Sequence, residues 1–247
     1  MKPFPHKPDE AALTARLAED RQKFEALPGD APGRKSTYYD EASRLAFGLA
    51  GLTYALDLPV NEVKSFAVHA TRYANQAIAC DDVMDPLTFQ RYLALTVWTY
   101  DTNLRGRLAA FDRNRFTNSE IVLDDVYYNA AEAMAALARK RGEMAVEAAE
   151  RGLKRIARGV VSTPIVNRVA PLLRVAECIG KGDLNSLRGA VSERNTQYLR
   201  AASVEASRHN PEFLVDVVGL ALVRMAAADY GLSVEPKSLF MPMTGLV

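Results

Sequence analysis

Residues Thr37–Leu58, TYYDEASRLAFGLAGLTYALDL, read as one α-helix that is apolar on most of its faces. Ser36 stands where a cap is expected, Tyr39 falls in the first turn, and Leu58-Pro59 breaks the run. A helix that is apolar nearly all round belongs inside a protein. Gly48 and Gly51 within it favour close packing against a neighbour. No stretch of the chain alternates between apolar and polar with the period of a half-buried strand. The expectation is an all-α fold with this helix at its centre.

The pattern extends outward in both directions. Upstream, Leu13, Leu17, Phe24 and Leu27 form one stripe of a helix starting near Asp9, and Pro28–Gly33 concentrates turn formers. Downstream, Asn61 is placed to cap a helix to about Ala79, with Val63, Phe66, Ala70, Tyr73 and Ile78 on its stripe. After the connector CDDVMDP, Pro86 opens a long helix carrying Phe89, Leu93, Val97, Tyr100, Leu104 and Leu108. Arg113–Asn118 reads as an exposed loop. Ile121–Arg158 is rich in helix formers and punctuated by Gly142 and Gly159. Within it Glu147–Arg151 and Glu150–Lys154 have favourable four-residue spacing. Ser162-Thr163-Pro164 starts the next helix, Gly180 and Gly182 end it, and Asp183 caps another towards His209. Asn210-Pro211 opens the last helix, which Gly231 stops. This predicts about eight or nine helices in antiparallel hairpins around one core, with residues 1–8 a flexible N-terminus and 9–247 a single helical domain. Alanine-rich stretches lack a fixed period, so repeats are not inferred.

Composition narrows the function. The chain of 247 residues is 49% hydrophobic and 25% charged, which suits a globular protein. No apolar leader is read at the start. Neither Leu45–Leu56 nor Phe213–Ala228 suits a membrane span, which takes about 20 apolar residues, so both are expected as core helices. Two cysteines, Cys80 and Cys178, imply no disulfide framework or zinc site, fit a cytoplasmic location, and are expected as small buried hydrophobes. The formal net charge of +1 argues against wholesale nucleic-acid binding. Charge is uneven, however: Arg139–Arg208 holds 14 Lys and Arg against 7 Asp and Glu, a local +7.

The sharpest local motif is Asp81-Asp82-Val83-Met84-Asp85, which matches the DDxxD pattern of isoprenoid synthases. Clustered carboxylates there hold magnesium, which helps a diphosphate leave. The nearest second motif, Asp124-Asp125-Val126-Tyr127-Tyr128 with Glu132 after it, carries a tyrosine where a small hydroxyl residue belongs and lies too close in sequence. Asp85 before Pro86 is an apt helix cap, so a helix junction or an acidic partner-binding patch is favoured over metal catalysis. His6, His69 and His209 are too dispersed to form a ligand set. His69 shares a face with Tyr73 and reads as a core or boundary histidine. No nucleophile elbow, P-loop or dinucleotide fingerprint is present. Neither a catalytic set, a metal site nor a cofactor is inferred. Arg139-Lys140-Arg141, with Arg151, Lys154, Arg155 and Arg158, reads as a solvated helix face, with phosphate contact as its alternative.

Two regions resemble the immunity protein 49 family of bacterial polymorphic toxin and type VI secretion systems. One runs from Tyr38-Tyr39-Asp40-Glu41-Ala42 to Tyr73-Ala74-Asn75-Gln76-Ala77. The other is the apolar helix Leu214–Tyr230 with Gly231-Leu232-Ser233-Val234 and Leu239-Phe240-Met241-Pro242. The resemblance spans most of the chain. It implies an all-helical cytoplasmic protein that binds a cognate toxin and blocks it. The expected partner is therefore that toxin, with Asp81, Asp82, Asp85, Asp124 and Asp125 as candidate partner-binding residues. A magnesium-dependent enzyme using DDVMD and a helical scaffold or regulatory module are the alternatives.

Overall fold

Asp9 begins the ordered helices by accepting hydrogen bonds from the backbone N–H groups of Ala11 and Ala12 at 3.1 and 3.2 Å. The computed structural model describes residues 9–27, 34–81, 83–116, 123–204, 210 and 213–236. The expectations for residues 1–8, for the turn at 28–33, and for Asp82, His209, Pro211 and the aromatic-proline tail fall outside these residues. Among the described residues the fold is all-α, with ten α-helices, one short 3-10 turn and no strand. The chain divides into two compact units, 1–82 with 199–216 and 238–247, and 83–198 with 217–237.

The first unit contains α1 (Glu10–Glu25), α2 (Ser36–Ala55) and α3 (Val60–Cys80). α2 is buried from Ala46 through Thr53, as its all-round apolarity requires. It packs on α1 and on α3. Leu13 and Leu17 of α1, Leu49 and Leu52 of α2, and Leu214 form one apolar cluster. Ser43 donates its hydroxyl to the Ala70 carbonyl at 2.8 Å, satisfying a polar group at the buried α2–α3 contact. Phe24 meets His69 edge-on at 5.4 Å and Tyr73 at 6.3 Å, so His69 is a half-buried boundary residue. Ser36 is the first helical residue and Pro59 the capping position of α3, so neither Ser36 nor Asn61 caps by side chain.

The second unit contains α4 (Pro86–Thr99), α5 (Thr102–Ala109), the 3-10 turn Arg113–Arg115, α6 (Asp125–Ala138), α7 (Gly142–Ala157), α8 (Thr163–Lys181), the main part of α9 (Leu184–Ser203) and α10 (Val217–Tyr230). α6 packs on α7 and α7 on α8 as successive hairpins, and α10 covers α4, α6 and α8. Phe89, Phe111, Phe116 and Tyr128 form a ring cluster with centroids 5.2–6.1 Å apart. At Gly142 and Gly180 the backbones of α7 and α8 nearly touch: a Cβ on either would stand 2.6 Å from the other's carbonyl oxygen.

Four further expectations require correction. The long helix from Pro86 is two, because Tyr100 turns left-handed (φ 58) and Asp101 caps a new helix through the Leu104 N–H at 2.9 Å. The last helix starts at Val217, not at Asn210-Pro211; Leu214 instead packs into the cluster of the first unit, which holds residues 213–216 outside a long α-helix. Gly180 lies within α8 rather than ending it, and Gly182 (φ 70) is the stop. Cys80 is exposed and Cys178 half-buried, so neither is a buried hydrophobe. Both are free thiols.

Candidate partner-binding cleft

Asp124 caps α6 by accepting the Val126 N–H at 3.0 Å. From there α6 presents Asp125, Asn129 and Glu132 on one face, spaced four and three residues apart. The rest of the helix is mostly alanine and buried, which lets its neighbours come close. α7 presents Arg151, Lys154, Arg155 and Arg158 at matching helical spacing. Gly152 faces Asn129, and a Cβ there would sit 3.2 Å from the Asn129 Cβ and 2.7 Å from a Leu173 methyl. Its bare backbone allows α7 to lie directly against α6. With Arg113 from the 3-10 turn, these residues line an open cleft of about 520 Å³.

Five cations and two carboxylates form the lining, with Asn129 between them. Every carboxylate is engaged. Arg155 grips Asp124 with both arms of its fork, Nε to Oδ1 at 2.8 Å and Nη2 to Oδ2 at 3.1 Å. Asp125 accepts from Arg113 at 2.7 Å and lies 3.9 Å from Arg155. Glu132 accepts from Arg151 at 2.9 Å and lies 3.6 Å from Arg113. The Arg155 hydrogen bond holds the Asp124 carboxyl below its usual range against the opposing effect of burial, and the Val126 N–H adds to it. Arg113 also stacks over the Tyr128 ring at 5.2 Å, which fixes its orientation.

The cations outnumber their partners. Lys154 is far exposed and its carboxylate, Glu150, stands at 3.9 Å. Among the described residues Arg158 has no ion-pair partner, and the Asn129 carboxamide has no hydrogen-bond partner although the residue is only 5% exposed. The site therefore presents net positive potential over a floor that both donates and accepts.

The five aspartates singled out in the sequence are not all together. Asp124 and Asp125 stand at the cleft. Asp85 caps α4, accepting from Leu87 and Thr88 at 2.8 and 3.1 Å. Asp81 follows the last turn of α3 in the first unit, and Asp82 is outside the described residues. Among the described residues no group of three His, Cys, Asp or Glu is placed to hold a metal ion, and no helix is long and apolar enough to cross a membrane. Sequence reasoning treated the Arg151–Arg158 face and the Asp124–Asp125 pair separately and gave no role to Arg113 or Asn129. The spacing Asp125, Asn129, Glu132 along an otherwise alanine-rich helix was the available signal.

No protein-family model, curated protein or solved structure matches the chain. Among its described residues the chain is an all-α protein with a charged interhelical cleft.

Proposed function

We propose that this chain is an immunity-type protein that binds a bacterial toxin in the cytoplasm of the producing cell and blocks it, without a reaction of its own. The observation that carries the reading is the α6–α7 cleft, in which Arg113, Arg151 and Arg155 are held in place by internal ion pairs. Pre-organised charge on rigid helices speeds encounter and selects a partner. The cleft offers anchored guanidinium forks and the Asn129 carboxamide, which are recognition groups. The resemblance of Tyr38–Ala42, Tyr73–Ala77 and the C-terminal helix to immunity protein 49 points the same way. The magnesium-dependent alternative gains nothing from Asp85, whose carboxylate already accepts two backbone N–H groups of α4.

The test is co-purification with the product of the adjacent reading frame. A stable complex, with that product toxic when expressed alone, supports the reading. A neighbouring product that is neither toxic nor bound overturns it.

A further inference from the structure

We infer that the α6–α7 cleft receives an acidic segment of a polypeptide partner, with Lys154, Arg158 and Asn129 as its principal contacts. The inference rests on the reading of the chain as a partner-binding protein, and names the chemistry of what it binds.

Three features lead there. First, the internal carboxylates satisfy Arg113, Arg151 and Arg155 at 2.7–2.9 Å but leave Arg158 without an ion-pair partner among the described residues and Lys154 with only Glu150, at 3.9 Å. A ligand that completes the site must bring negative charge. Second, Asn129 is a nearly buried residue that lines the cleft between the charged groups. A carboxamide that lines a cleft suits a ligand that supplies both a donor and an acceptor. A peptide group does so. Third, Asp125 and Glu132 stand among the cations. Their remaining lone pairs accept backbone N–H groups of a peptide, which a sugar-phosphate backbone does not supply. Among the described residues no aromatic side chain lines the cleft to stack a base. The combination selects an acidic peptide over an oligonucleotide or a simple anion.

The experiment uses the full chain and fluorescence anisotropy at low ionic strength. The probes are a labelled decapeptide of alternating Glu and Gly, and a labelled single-stranded decanucleotide, each with inorganic phosphate as competitor. The variants are Lys154→Glu/Arg158→Glu and Asn129→Ala, with Arg168→Glu/Arg188→Glu as a control of equal charge change outside the cleft. Far-UV circular dichroism verifies that each remains folded. Peptide binding weakened about tenfold or more by the cleft variants and by less than about twofold in the control is expected, as for loss of a charge-assisted contact. Tighter binding of the oligonucleotide, displacement by equimolar phosphate, or equal weakening in the control overturns the inference. With a neutralised toxin in hand, equal affinity for wild type and Lys154→Glu/Arg158→Glu overturns the cleft's role while the neutralising function stands.

Discussion

Asp124 is bound by Arg155 through two parallel hydrogen bonds while capping α6, so one carboxylate fixes both the start of α6 and the side chain of α7 that faces it. The two roles separate by substitution. Asp124→Ala removes both and is expected to destabilise the second unit by about 1–2 kcal/mol, the upper range for a lost cap. Asp124→Asn keeps a good capping group but loses the charge, and is expected to cost less. Urea unfolding at neutral pH measures both.

The same carboxyl gives a pH dependence. Its folded-state pKa lies below the ordinary value. Its stabilisation is therefore present above the unfolded pKa, near 4, and is lost as pH falls through the folded value. The stability difference between wild type and Asp124→Asn is expected to shrink as pH is lowered from 6 to 3. A constant difference over that interval refutes the assignment.

Glycine substitutions test the packing of α7 on α8. Gly142→Ala and Gly180→Ala each place a methyl 2.6 Å from a backbone oxygen, which has no rotamer to yield. Both are expected to destabilise by about 1–3 kcal/mol in spite of alanine's helix propensity. Gly189→Ala in α9 meets nothing within 4 Å and is expected to stabilise by about 0.5–1 kcal/mol. Opposite signs in thermal melts are the check.

Tyr230 donates its hydroxyl to the Leu137 carbonyl at 3.1 Å, and burial, with Asp229 beside it, raises its pKa to about 12. A raised folded pKa means the contribution is complete below the unfolded value near 10 and lost as pH rises through 12. Tyr230→Phe is expected to cost about 1 kcal/mol at neutral pH. It is also expected to remove the component near pH 12 from the ultraviolet titration at alkaline pH.

The helices were readable in the sequence because their stripes and stops are local. Asp9, Asp183 and Gly231 act where their positions suggested, capping α1, capping the start of α9 through Ser186, and ending α10 with φ 68. The split at Tyr100-Asp101 was not, because the apolar stripe from Phe89 to Leu108 continues across it. The delayed start of α10 depends on where Leu214 packs, a tertiary preference that overrides the local pattern. The cleft was half legible: its acids and bases stood out, but as separate groups. Arg113 is 42 residues from Arg155 in sequence, and only the folding of the 3-10 turn and the α6–α7 hairpin brings them to the same carboxylate.

Neutralisation is measured most directly by growth. The adjacent reading frame is expressed from an inducible promoter in a bacterial host, with and without this chain. Arrest without the chain and restored growth with it, accompanied by a one-to-one complex in solution, is the predicted result. Equal growth arrest in the presence and absence of the folded chain would contradict the account.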